Sequence, residues 1–181
     1  VLQRAMGLFH HRGYAATSMQ ELVEQMEIGR GSLYETFGSK QQLFRAALTR
    51  YAEEGIDAQI DLLEQADDPL AAIADLLHGM VDHHCSDTAR RGCLVVNTIV
   101  ELAPHEAEIA AILRQRVLGV EQAVQHALQR ARDRRALSAE PAVLARFVIN
   151  AIHGLAVRAK YDGERQQLRQ IVEITLRALT A

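Results

Sequence analysis

The chain has no tryptophan, and only four phenylalanines and four tyrosines among its 181 residues. Sandwiches and barrels draw their strands from aromatic and β-branched residues, so this shortage, beside abundant Ala, Leu, Gln, Glu and Arg, argues against an all-β fold. Two cysteines, Cys85 and Cys93, are too few for a disulfide-built secreted scaffold. No apolar run approaches the roughly 20 residues of a membrane span, and the N-terminus lacks a signal-like apolar core. The three prolines all lie at or beyond residue 69, and no repeat or low-complexity tract occurs. The expectation is a soluble, cytoplasmic, all-α protein with no membrane partner.

What is present is unevenly distributed. The net charge of −3 is unpromising for a nucleic-acid binder. Residues 1–50, however, carry six Lys/Arg against four Glu, net +2, leaving 14 basic and 19 acidic residues, net −5, for residues 51–181. Six of the eight Phe/Tyr fall at or before Tyr51. Only the first part is suited to face phosphate.

Pro69, Pro104 and Pro141 each precede an apolar-periodic stretch, and proline in a first helical turn loses nothing, since its missing N–H has no intrahelical partner there. After Pro104 the positions Ile109, Leu113, Val117, Val120, Val124 and Leu128 step by three or four, a helix face of about five turns. Leu144, Phe147 or Val148, Ile152, Leu155 and Ala159 follow Pro141. After Asp162-Gly163 the rhythm resumes at Leu168, Ile171 or Val172, Thr175 and Leu179. Pro69 opens Ile73, Leu77, Met80 or Val81, and His84, ending in the polar loop Ser86 to Gly92. No stretch shows sustained strand alternation.

The first fifty residues are shorter-paced. A helix through Leu2, Ala5, Leu8 and Phe9 stops at Gly13-Tyr14. Thr17 and Ser18 each have a Gln or Glu three residues on, so either can close a capping box at the start of a second helix. Glu27-Ile28-Gly29 is a three-residue turn, and a short third helix spans about Arg30 to Phe37. Ser39 with Gln42 opens a longer helix through Leu43, Phe44, Ala47 and Tyr51. Helix, glycine-containing turn and short helix form the helix-turn-helix arrangement. Leu33 and Phe37 anchor the short helix and leave Arg30, Gly31, Ser32, Tyr34 and Glu35 facing outward. Arg30 suits a bidentate contact to guanine, Ser32 a base or phosphate contact, and Tyr34 a hydroxyl on a rigid arm. The helix starts near Ser18 and Lys40 offer free N–H groups to phosphates.

Phe9, Gly13-Tyr14, Thr17-Ser18, Gly31-Ser32-Leu33-Tyr34 and Phe37-Gly38-Ser39-Lys40 together closely resemble the DNA-binding domain of the TetR family of transcriptional repressors. The resemblance covers the first quarter of the chain and departs at Gly29, where the family often carries a capping serine or threonine. It implies phosphate contacts at Thr17, Ser18, Tyr34 and Lys40, and base contacts at Arg30, Gly31 and Ser32. It also implies a three-helix DNA-binding domain over 1–50, and over 51–181 a helical domain that binds a small-molecule effector and forms a homodimer through the last two helices. The partner would be double-stranded operator DNA. The competing class is a helical sensor or enzyme without operator binding.

For the larger part, an apolar cavity between helices would draw its lining from Met80, His83, His84, Val96, Asn97, Val100, Leu113, Val117, Phe147, Asn150 and His153. His78, His83, His84, Cys85, Cys93 and His105 raise a metal reading, but adjacent His83 and His84 diverge by about 100° on a helix and no zinc-ligand spacing occurs. No nucleophile–base–orienter set points to an enzyme. No metal or cofactor is expected. Cys93 follows Arg90-Arg91-Gly92 at a helix start, where cations and the helix end lower a thiol's pKa. It is therefore a redox candidate, with Lys160 a polar or covalent partner; the competing reading is an inert, buried thiol. Ala151, Gly154 and Arg158 on one helix and Ala178 on the last allow close approach of a second copy, against burial of the last helix within the monomer.

Overall fold

The computed structural model describes residues 1–86, 90–133 and 136–180. The described residues form nine helices: α1 (Leu2–Arg12), α2 (Met19–Met26), α3 (Arg30–Phe37), α4 (Lys40–Gln65), α5 (Pro69–Ser86), α6 (Leu94–Glu101), α7 (Ala107–Arg132), α8 (Pro141–Tyr161) and α9 (Arg165–Arg177). Among these residues the one strand-like feature is an isolated antiparallel bridge between Leu137 and Thr180.

The head is α1 to α3 plus the start of α4, closed over Phe9, Leu22, Met26, Leu33 and Phe44, all essentially solvent-free. Phe9 and Phe44 meet edge to face at 4.9 Å, and Tyr14 packs on Phe44 at 5.0 Å. Such pairs add about 0.5–1.5 kcal/mol beyond area burial, which is how a few rings hold together a very small core. Of the two possible caps of α2, the fold uses Ser18: its side chain accepts the Glu21 N–H while Glu21 accepts the Ser18 N–H, a complete capping box. Ser39 accepts the Gln42 N–H at the start of α4.

α4 runs 26 residues without a break. Residue 50 therefore lies inside a helix shared by head and body. In the body α7 packs on α4, α5 and α8, and α5 also packs on α9. Pro69 and Pro141 are the first residues of α5 and α8, whereas Pro104 sits in the turn before α7, whose N-cap is Glu106. Each ambiguous sequence position resolves with valine inward: Val81, Val148 and Val172 are buried, while Phe147 and Ile171 are exposed and Met80 is half-buried.

α8 departs from the reading that no segment could span a membrane. It is long and apolar enough by length and composition. The reason is that it has two apolar sides: Leu144, Val148, Ile152, Leu155 and Ala159 face the core, and Val143, Phe147, Val157 and Tyr161 lie outside.

Candidate functional site

The turn between α2 and α3 depends on Glu27, which takes a left-handed conformation (φ 58°), and on Gly29, an extended N-cap with no side-chain bond. Leu33 is fully buried and Phe37 half-buried against the head, so α3 is pinned by one side. Arg30, Gly31, Ser32, Tyr34 and Glu35 are all exposed on the other. Arg30 has no acidic partner among the described residues, so its guanidinium is free for a planar, bidentate acceptor.

The flanking residues divide. Ser18 is exposed at the α2 start. Glu21, held beside Ser18, has its carboxyl pushed below its ordinary value first by the Ser18 backbone N–H, then by the Ser18 hydroxyl and Arg12. Lys40 heads α4 with its ammonium 4.3 Å from the centre of the Tyr14 ring. Burial lowers its pKa, and Glu101 and Glu21 oppose that shift. Thr17 does not belong with them. Its side chain is fully buried and its hydroxyl donates to the Gly13 carbonyl at 2.6 Å, so it shapes the α1–α2 turn instead of reaching a phosphate.

Behind the head, a cleft of about 980 Å³ lies among α1, α4, α5, α6, α7 and α8. Met80, His83, His84, Val96, Val117 and His153 line it. Burial pushes the His153 imidazole below its ordinary pKa. The other five expected lining residues lie elsewhere. Val100 is 73% exposed and Phe147 42% exposed. Asn150 faces outward and donates to the Arg146 carbonyl, Leu113 is plain core, and Asn97 bridges the Arg91 carbonyl and Lys160. Helix phase explains two of the misses, since Phe147 and Asn150 share the outer side of α8; Val100, one turn on from Val96 on the same side of α6, is exposed at the last turn of that helix.

The cleft also takes in residues that sequence reasoning passed over, notably His10 and Tyr51. His10 is buried, and because a carbonyl only accepts, its Nε2 carries the proton donated to Gly92 O at 2.8 Å. Cys93 lines the cleft as N-cap of α6, with the Tyr51 hydroxyl 3.9 Å from its sulfur. Burial, then Cys93, drives the Tyr51 pKa upward. Lys160 lays its stem against Gly92, beside Cys93 in the chain, and its ammonium donates to Asn97 Oδ1 at 3.0 Å. His78 pairs with Glu173 at 3.3 Å, and no group of three or more His, Cys, Asp or Glu suited to a metal occurs among the described residues.

A pinned short helix presenting Arg, Gly, Ser and Tyr after a tight turn, mounted on a helical body with a cleft, defines a helix-turn-helix DNA-binding regulator. Residues 1–47 match the family model for bacterial regulatory proteins of the tetR family, and residues 69–175 that for the tetracyclin repressor-like C-terminal domain. The chain is 31% identical over 182 residues to the uncharacterized HTH-type transcriptional regulator YezE of Bacillus subtilis, covering 99% of this chain and 94% of that relative. It is 32% identical to the HTH-type transcriptional repressor ComR of Escherichia coli, covering 97% and 85%. Among solved structures, a cysteine mutant of the TetR family transcriptional regulator CifR, complexed with 26bp double-strand operator DNA, superimposes with a TM-score of 0.87 at 34% identity, covering 98% of this chain and 94% of that one. The chain belongs to the TetR family and is a DNA-binding transcriptional regulator.

Proposed function

We propose that the chain is a cytoplasmic repressor that binds a near-palindromic operator as a homodimer and leaves it when a small, mainly apolar molecule fills the cleft. The observation that carries this reading is the outward set on α3. Arg30, Gly31 and Ser32 stand where a helix entering the major groove meets base edges, with Tyr34, Ser18 and Lys40 flanking them for phosphates. Dimerisation uses the outer sides of α8 and α9, where Val143, Phe147, Val157, Tyr161, Ile171 and Ile174 are exposed. Gly154 on the same side of α8 has nothing within 4 Å of where a Cβ would stand, so a second backbone can come close. Two copies together supply two reading helices and double the phosphate contacts.

The cleft residues that support an effector site are Met80, His83, His84, Val96, Val117 and His153. Release by about tenfold needs roughly 1.4 kcal/mol of difference between the effector's affinities for the two states. Cys93 offers a second input. A hydroperoxide would convert the thiol to a sulfenic acid and itself become an alcohol, and the cleft gives it access. Peroxide-triggered DNA release that Cys93→Ser abolishes supports this input; an unchanged response removes it.

The test of the main reading is a mobility shift with a duplex selected from random sequence, run across a salt series. Sequence-selective binding that weakens with salt is expected; binding with no sequence preference returns the chain to the sensor or enzyme class.

A further inference from the structure

We propose that the first helix of the DNA-binding head is itself one wall of the effector site, so that an elongated, neutral, mainly apolar ligand touches the head directly. The inference rests on the cleft being the effector site. Gln3, Met6, Gly7 and His10 all line it. Their spacing of three, one and three places them on a single side of α1, while Ala5 and Phe9 on the other side are buried in the head core. α1 packs on α2, α4 and α6, whereas α5 packs on α4, α7, α8 and α9. The mouth lies where α1, α4 and α5 border it, with Gln3, Glu54, Gly55 and Gly79 exposed around the rim. Val120, Ile149 and Ile152 form a buried floor at the other end.

Three glycines widen the mouth, one from each bordering helix: Gly7, Gly55 and Gly79. A Cβ at any of them would meet nothing within 4 Å. None has the positive φ that demands glycine. Each weakens its helix relative to alanine, because glycine gives up more backbone freedom on folding. Neither backbone nor packing requires them, and the open width they leave is what a ligand lying between head and body would use. The charged side chains of the lining, Glu54, Asp75 and Arg91, are exposed or half-buried, and two of the three are acidic. A ligand charge reaching the apolar floor would be unpaired, and at the mouth Asp75 opposes an anion while Glu54 is already paired with Arg50 at 2.7 Å. A neutral molecule fits both ends. The polar side chains that the head offers it are Gln3 at the rim and the buried His10, whose bond to Gly92 O ties α1 to the segment that starts α6. Occupancy beside His10 therefore bears on a head–body bond without passing through the body.

The experiment uses the full chain and Nile red as a neutral apolar probe, titrated by fluorescence. Gly7→Leu projects a side chain into the α1 side of the cleft, and Val117→Phe narrows the body side. Gly7→Leu should weaken dye binding by about tenfold, equivalent to roughly 1.4 kcal/mol. In the unaltered chain, saturating dye should slow hydrogen exchange at the amides of residues 4–11, a readout that needs no variant. Weakening by Val117→Phe with no effect of Gly7→Leu, and no slowing over residues 4–11, overturns the inference and leaves the effector cleft standing. Dye binding that neither variant alters overturns both readings.

Discussion

Glu101, the last residue of α6, accepts the backbone N–H of Tyr14 at 3.0 Å with one carboxylate oxygen, and with the other it accepts that of Ala15 at 2.7 Å. Gly13 lies against the same carboxylate. Its φ of +82° favours glycine, and a Cβ there would come within 2.9 Å of Glu101 Oε2. A body side chain thus caps the turn between the first two helices of the head. Charge-assisted bonds of this kind contribute about 1.5–3 kcal/mol together with the cost of leaving the two amides unpaired. Glu101→Ala should lower stability in urea by roughly 1–3 kcal/mol. It should also speed exchange at the Tyr14 and Ala15 amides while amides within α7 and α8 change little. Uniform loss of protection across the chain would show that Glu101 stabilises the molecule as a whole and not this turn.

Arg30 and Lys40 should differ in kind when mutated. Arg30→Ala removes a bidentate base reader and should cost about 1–3 kcal/mol on the selected duplex, little on unrelated DNA. Lys40→Ala removes a point charge and should weaken all duplexes alike, lowering the salt slope by about 1 per site. Competition binding against both DNAs separates the two, and the reverse pattern would exchange their roles.

Phe147→Arg should convert the proposed homodimer to a monomer in sedimentation equilibrium while leaving the helical circular dichroism of the chain intact. Phe147 is 42% exposed on α8 and belongs to the outer apolar side, so the substitution places a charge in the seam between copies and not in the core. An unchanged dimer would move the interface away from α8.

Stability should fall on acidification through His153. Burial lowers its folded-state pKa below the ordinary value of 6.5, so near and below that value the unfolded chain binds a proton that the native imidazole does not. Unfolding free energy then rises with pH across this window: the contribution is whole above 6.5 and is lost as pH falls toward the depressed folded value. Urea midpoints measured from pH 7.5 down to 5 should show a slope that flattens in His153→Leu. An identical slope in the variant would assign the dependence to other groups.

Much of the architecture was legible because helix starts have local chemistry. Ser18 with Glu21, Ser39 with Gln42, and Pro69 and Pro141 set element boundaries within a residue or two. Phase was less legible wherever two apolar residues stood side by side. Met80 and Val81, Phe147 and Val148, and Ile171 and Val172 each satisfied a single buried face equally well. In every pair the valine is buried and its neighbour lies on another surface, the cleft for Met80 and the exposed outer side for Phe147 and Ile171. A doubled apolar position is thus the sequence trace of a helix with two apolar sides, and it names both surfaces without saying which residue takes which. Glu101, His10 and Gly7 left no such trace. Their roles depend on partners 86 or 87 residues away for Glu101 and 82 away for His10, and no local pattern encodes a tertiary neighbour. Thr17 was misplaced for a related reason, since a hydroxyl beside a helix start can turn inward to a carbonyl as readily as outward to a phosphate.

The unbroken course of α4 turns the molecule into a lever. At 1.5 Å per residue its 26 residues extend about 39 Å, with Gly55 and Leu62 beside the cleft and Lys40 at the far tip. A pivot of roughly 5° about the cleft end would sweep that tip by about 3 Å, close to the 3.4 Å between successive base pairs along one strand. Small adjustments around a bound molecule are therefore enough to carry a reading helix out of step with the groove it was set to enter.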